Sequence, residues 1–226
     1  MVKLVLRRIP SRVAIRFLLP KHYAGRTPVV SYAFGWYRGE MLEAVCTFGK
    51  PASPQLCYGI CGRPFAGRVY ELNRVCRINE LTEPLSQFVS GCLRQLKPAN
   101  LIIVSYSDTA MHHHGYLYQA CNFLYTGATK ARTDLYNTGA NHARHSDRNF
   151  QDYTRTLFDD TPDTKLRPRK RRSSKHRYVF FAMQDRQLKR KATSALNYPV
   201  QPYPKGDNQT YQLGDYLAPD IITPSI

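Results

Sequence analysis

Acidic residues are scarce in this chain of 226 residues: 16 Asp and Glu face 33 Lys and Arg, a formal net charge of +17. So one-sided a charge repels itself in the compact state and attracts polyanions, which makes nucleic acid the expected partner and an anionic membrane surface its competitor. Long apolar runs are missing too. No stretch approaches the roughly 20 apolar residues of a spanning helix, and Arg7, Arg8, Arg12 and Arg16 break the N-terminal segment where a signal peptide would carry its apolar core. The expectation is a cytoplasmic protein with no membrane partner. Cys-x-x-Cys is also absent, the nearest spacing being Cys57-x-x-x-Cys61. The six cysteines (Cys46, Cys57, Cys61, Cys76, Cys92, Cys121) lie mostly in apolar runs and read as buried reduced thiols, ahead of a zinc site or disulfides.

Several nucleotide and hydrolase motifs are lacking. There is no Gly-x-Gly-x-x-Gly, no phosphate-loop Gly-Lys-Ser/Thr, no Gly-x-Ser-x-Gly and no His-Glu-x-x-His. These absences speak against a nucleotide hydrolase or a Rossmann methyltransferase, and the missing Asn/Asp-Pro-Pro-Tyr against an adenine methyltransferase.

What is present is enough for a folded core of one domain or one and a half. Apolar residues make up 42% of the chain, with 16 Tyr, 10 Phe and one Trp, so full disorder is excluded. Alternating Val2, Leu4 and Leu6 predict a first strand, and Ser11 is placed to cap a helix running to Leu19 ahead of Pro20. Val29 to Tyr37 and Met41 to Phe48 predict strands joined by a hairpin at Arg38-Gly39-Glu40, and Val69 to Ile78 a further strand. A helix capped by Thr82 or Glu83, with Pro84 in its first turn, carries Leu85, Phe88, Val89, Cys92, Leu93 and Leu96 at helical spacing. Ala99 to Tyr106 contains the continuous run Leu-Ile-Ile-Val of a strand buried on both faces. A helix over His114 to Phe123 and a strand from Leu124 complete a mixed α/β pattern, a central sheet flanked by helices.

Beyond residue 127 the character changes. The division expected is a core over 1–127, a basic, flexible, DNA-binding insertion over 128–175, and a final strand, basic helix and Pro/Tyr-rich tail over 176–226. Between 165 and 191 there are 12 basic residues and one acid. Arg167, Arg169, Lys170, Arg171, Arg172, Lys175 and Arg177 are the residues expected to meet the phosphate backbone. His112-His113-His114 and His142-x-x-His145 invite a metal assignment, but adjacent histidines cannot all point one way. A solvated turn is the reading preferred, with no metal site assigned and a mononuclear iron kept as the alternative.

Four segments place polar groups at the ends of apolar elements, where open α/β sheets build their sites. They are Lys21-His22-Tyr23-Ala24-Gly25, Gly49-Lys50-Pro51-Ala52-Ser53-Pro54, Glu71-Leu72-Asn73-Arg74, and Val104-Ser105-Tyr106-Ser107-Asp108 followed by Tyr116 to Gly127. The run Tyr118-Gln119-Ala120-Cys121-Asn122-Phe123-Leu124-Tyr125-Thr126-Gly127 resembles the helix-to-strand segment of the Gcn5-related acetyltransferase (GNAT) fold. Together with the late Lys175-His176-Arg177-Tyr178, these motifs resemble the Mom family of bacteriophage DNA-modification proteins over residues 21–127 and 176–207.

The resemblance implies a phage transferase, working in the host bacterial cell, that adds an acetamido (carbamoylmethyl) group to the exocyclic N6 amine of adenine in double-stranded DNA. Such a mark shields phage DNA from host restriction. A small-molecule group donor is also implied. Acyl-coenzyme A is a candidate, although Ile78-Asn79-Glu80-Leu81-Thr82-Glu83-Pro84 stands where the fold's usual pyrophosphate loop would be. Adenine N6 is a poor nucleophile, and within a duplex it is stacked and paired, so the base must be flipped, held and relieved of a proton. Tyr23, Tyr106, Tyr118 and Tyr125 are the stacking candidates, core or rim positions being the plainer reading of each. His22 is the candidate general base, favoured by its motif over a surface histidine ending a helix. Asp108 would orient an imidazole or take the proton, with Ser105 and Asn122 as hydrogen-bonding groups. Glu71, Asn73 and Arg74 are assigned to substrate or donor, Arg74 either pairing with Glu71 or Asp108 or holding an anion. The rival readings are a GNAT-type acyltransferase acting on an RNA or protein amine, and a noncatalytic DNA-binding protein.

Overall fold

The computed structural model describes residues 3–22, 27–135, 169–207, 209 and 221–222. The chain divides into two compact units, Met1–Ala128 with His176–Tyr216 and Thr129–Lys175 with Leu217–Ile226.

In the first unit seven strands form one mixed sheet, in the order β1-β2-β3-β4-β5-β9-β6. The strands are β1 (Leu4–Arg8), β2 (Tyr32–Arg38), β3 (Met41–Gly49), β4 (Val69–Arg77), β5 (Leu101–Asp108), β6 (Leu124–Ala128) and β9 (Lys175–Ala182). β1 to β4 run antiparallel in sequence, and β4 then pairs with β5 in parallel through the crossover helix α3 (Leu85–Leu96). The mixed sheet flanked by helices is the class the apolar pattern predicts.

Two faces of this sheet are covered by different helices. On one, Phe88, Val89, Cys92, Leu93 and Leu96 of α3 pack with the partly buried Leu117 and Tyr118 of the short α4 (Tyr116–Ala120), over Phe34, Phe48, Leu72 and Ile103. Opposite them, Ala14 and Leu18 of α1 (Ser11–Leu18) cover Ala33 and Val45. Next to these, α2 (Pro54–Cys61) and α5 (Arg186–Ser194) cover Val69, Ile102, Val104, Val179 and Phe181. Burial of these side chains, about 1.5–3 kcal/mol for each fully covered Val, Leu, Ile or Phe, holds the layers together. All six cysteines are free, and all but Cys76 are buried.

Details depart from expectation for local reasons. Ser11 is the first helical residue of α1 rather than its cap, which is Pro10; likewise Pro84 itself caps α3, displacing Thr82 and Glu83. The helix over His114 to Phe123 shrinks to Tyr116–Ala120, because Gly115 and Asn122 both adopt positive φ and end it on either side. Helix α2 has no counterpart in the sequence reading, although Ser53-Pro54 is a helix-start pattern.

The second unit contains β7 (Arg132–Leu135), β8 (Arg169–Arg172) and β10 (Ile221–Ile222), paired antiparallel in the order β10-β8-β7. Arg132 stands opposite Arg172, and Leu135 opposite Arg169. Where composition predicts an irregular segment, two of its stretches form a ribbon. Arg167 and the His142/His145 pair lie outside the described residues.

Candidate functional site

The two parallel strands part company early. β4 and β5 pair only over Val69–Glu71 and Ile102–Val104. Just past the last pair, Ser105 Oγ donates to the Leu72 carbonyl at 2.9 Å and satisfies a group the ladder has abandoned. The rest of β4 stays with β3, so the two strands part toward their carboxyl ends; this splay is the crevice of the fold, the kind of place where α/β sheets hold ligands.

A bulge then sets which side chains face that crevice. Between Phe48↔Leu72 and Thr47↔Arg74 the register shifts, leaving Asn73 as the extra residue. Its amide is pinned on both sides: the carboxamide oxygen accepts from Thr47 Oγ1 at 2.7 Å, and Nδ2 donates to the Val29 carbonyl at 2.7 Å. The extra residue swings Arg74 to the α1 face, opposite Leu72. Glu71, opposite Gly49, lies on that face as well, and strand alternation puts Tyr106 and Asp108 there with Val104.

His22 joins them from the chain leaving α1. Its amide donates to the Leu18 carbonyl at 2.8 Å, which fixes the turn. Burial, then the Arg74 guanidinium, then His113 push its pKa down to about 3, so it is a neutral imidazole at physiological pH. His113 follows the strand end. Its backbone N–H donates to the Asp108 carbonyl at 3.2 Å, and its ring Nε2 lies 3.1 Å from the Gln209 carbonyl oxygen. Burial lowers the pKa of His113 as well, against the opposing influence of the Gln209 carbonyl and Asp108. The Asp108 carboxylate accepts from Ala110 N at 3.1 Å and so caps the turn that presents His113. The Tyr106 phenol is pushed up by burial and by nearby Glu71, and stays protonated.

Five residues expected at the site from sequence therefore share one face: His22, Glu71, Arg74, Tyr106 and Asp108. Others are placed elsewhere. Ser105 is buried and Asn73 is clamped within the sheet, so both hold the crevice's walls rather than reach into it. Asn122 is exposed, with φ +59°, and closes a turn. Tyr118 and Tyr125 point to the α3 face, where they pack with Tyr178 at ring separations of 5.2 and 5.3 Å. There Tyr125 Oη meets His176 Nδ1 at 2.9 Å, and His114 and His176 lie 5.9 Å apart. Arg177, expected on DNA, is spent internally: its Nε and Nη2 donate to Thr126 at 2.9 and 2.8 Å, and it stacks on Tyr198. Tyr23 lies outside the described residues. His113 is the site residue the sequence reading missed, dismissed there as part of a solvated turn; its one signal was its position just after a buried strand.

The N-terminus of α3 does not fit a nucleotide pyrophosphate. Pro84 offers no N–H there, and Glu83 Oε1 accepts from Arg38 Nη2 at 2.6 Å. Arg38 Nε also donates to Glu43 at 2.8 Å, so one guanidinium serves two carboxylates. The hydrogen bond from Arg38 holds Glu83 below its ordinary pKa, an ionised group where phosphate would need donors. Among the described residues, no three His, Cys, Asp or Glu side chains meet around a metal-sized space, and no helix is long and apolar enough to cross a membrane.

Comparison with known proteins returns acetyltransferases among solved structures. One is an N-acetyltransferase from Staphylococcus aureus Mu50, 11% identical over 80% of this chain and 99% of that one, with a TM-score of 0.45. Another is a putative acetyltransferase from Salmonella typhimurium solved with its cofactor acetyl-CoA, 8% identical over 81% and 96%, TM-score 0.46. An IAA acetyltransferase from Bacillus cereus ATCC 14579 is 12% identical over 79% and 99%, TM-score 0.39. No curated protein matches. The family model described as the Mom protein family matches residues 3–205, and the chain belongs to that family.

Proposed function

We propose that this protein is a DNA-modification transferase that places a carbamoylmethyl group on the N6 amine of adenine in duplex DNA. The observation that carries the reading is the neutral His22 beside Arg74 at the mouth of the crevice, in a chain of the Mom family. N6 of a flipped adenine attacks the methylene carbon of a carbamoylmethyl donor. The N–C bond forms as the donor's bond to its leaving group breaks, and the N6 proton passes to His22. A base of low pKa suffices, because the amine proton becomes strongly acidic only once the new bond is forming. Arg74 faces the negative charge that develops on the leaving group, the kind of preorganised stabilisation that accounts for large rate effects. Tyr106, a protonated phenol on the same face, is the stacking and hydrogen-bonding wall for the base. The strands β7 and β8, with Arg132, Arg169, Arg171 and Arg172, supply phosphate contacts.

The test is nucleoside mass spectrometry on plasmid DNA from cells expressing the chain and from cells carrying an empty vector. A deoxyadenosine species heavier by an acetamido substituent, lost in His22→Ala, is the expected result. An unchanged profile with soluble protein present would transfer the reading to an amine on RNA or protein.

A further inference from the structure

One part of the outer layer on the crevice-bearing face of the sheet contains no acidic residue. α2, the 3-10 turn Arg63–Arg68 and α5 build this layer, seating Cys57, Ile60, Leu188 and Ala192 on Val179 and Phe181. The two helices are tied where Asn197 donates from its backbone to the Ile60 carbonyl at 2.9 Å and from its side chain to Gly59 at 3.1 Å. Residues 54–68 and 186–196 hold six Lys or Arg and neither Asp nor Glu. Of these, Arg63, Arg186, Lys189, Arg190 and Lys191 are exposed. Asp185 precedes α5 but turns its carboxylate onto Leu188 N at 2.9 Å as the helix cap.

The arrangement works against the helix itself. Arg186 is a same-face neighbour of both Lys189 and Arg190, and like charges at that spacing weaken a helix. Arg186 also stands in the first turn, where the macrodipole disfavours a cation. Capping by Asp185, the partly buried Leu188 and the buried Ala192 hold α5 in place while its outward side stays cationic. A polyanion would relieve both conflicts.

We propose that this α2–α5 layer is a contact surface for the phosphate backbone of duplex DNA, lying alongside the base that enters the crevice. The inference rests on the DNA-modification reading. The chain leaving α5 reaches Tyr198, which packs in the same cluster as Tyr106 of the crevice wall. At 1.5 Å per residue the nine residues of α5 span about 13 Å, the rise of roughly four base pairs along one strand. A lipid surface fits less well, because an interfacial helix directs large apolar side chains outward. Here Leu188 and Ala192 turn inward, and Arg186, Gln187, Lys189, Arg190 and Lys191 occupy the exposed positions.

The test is duplex binding by fluorescence anisotropy over a salt series, comparing the parent with a variant carrying Arg186→Gln, Lys189→Gln, Arg190→Gln and Lys191→Gln. Gln keeps helix propensity, and the cap and buried residues are untouched. The slope of log K against log salt should become shallower by about two to four, with weaker binding and an unchanged circular-dichroism spectrum. A double variant, Lys189→Gln with Arg190→Gln, guards against loss of folding and should lose about one to two in slope. If the parent modifies and binds DNA while the variants keep its slope, this surface is overturned and the DNA reading stands. If the parent neither binds nor modifies duplex DNA, or prefers anionic vesicles to it, the surface falls together with that reading.

Discussion

Ser105 donates its hydroxyl to the Leu72 carbonyl at 2.9 Å, one residue beyond the point where the two parallel strands cease to pair. The contact lets the strands diverge without leaving a buried carbonyl bare. Ser105→Ala should therefore lower stability by about 1–3 kcal/mol, the cost of an unsatisfied buried acceptor. Denaturant unfolding is the measurement. A loss of modification activity at parental stability would instead return Ser105 to the chemistry.

His22 should titrate far below an ordinary histidine, near its value of about 3. Carbon-detected NMR of the imidazole would show this directly, and the acid limb of kcat/KM should carry no His22 step near pH 6.5. The unfolded chain binds at pH 6.5 and below a proton that folded His22 refuses. Acid therefore favours unfolding progressively from about pH 6.5 toward 3. A His22 midpoint near 6.5 would contradict the buried, Arg74-facing placement.

Arg74→Gln removes a cation that depresses His22 and one that faces the leaving group. Loss of a positive neighbour favours the protonated imidazole, so the His22 pKa should rise, though burial still holds it under the usual range. The modification rate should fall on the order of a hundredfold. Parental activity with an unmoved His22 would place Arg74 outside the site.

Neutralising Arg169, Arg171 and Arg172 in β8 to Gln should weaken duplex binding and flatten its salt dependence by about 0.9 per lost phosphate contact. Filter binding across a salt series measures it. An unchanged slope would assign that charge to something other than DNA.

Gly115 sits at φ +73°, and a Cβ there would come within 2.5 Å of the Tyr178 ring. Both the left-handed backbone and the collision disfavour any side chain, so Gly115→Ala should cost about 2 kcal/mol or more. A lowered thermal midpoint would report the loss; a parental one would show that Tyr178 can move aside freely.

How much of this was legible in the chain depends on whether a signal was local. The Leu-Ile-Ile-Val run and the helical spacing of Leu85 to Leu96 announce β5 and α3, because burial on a sheet or a helix face imprints a period. The mixed sheet and the crevice-facing positions Glu71, Tyr106 and Asp108 follow from that reading. The bulge at Asn73 does not, since nothing in Glu-Leu-Asn-Arg shows that the partner strand will skip a residue. It decides that Arg74, and not Asn73, faces the crevice. Tyr118 and Tyr125 were misdirected for a related reason: a tyrosine at a strand or helix end looks alike whether it turns to the α3 side or the α1 side. His113 was hidden because its value comes from an approach to His22 that is distant in sequence.

Ala128 and His176 are cross-strand partners at the end of the sheet. The chain thus leaves the first unit and returns to it at points one strand spacing apart, about 4.8 Å. For the sheet, the whole excursion between them is a hairpin connection, and the entropy of closing it grows only with the logarithm of its length. Segments of very different size could be grafted at that junction without disturbing strand register, which makes the excursion the part of the molecule most open to remodelling and the crevice the least.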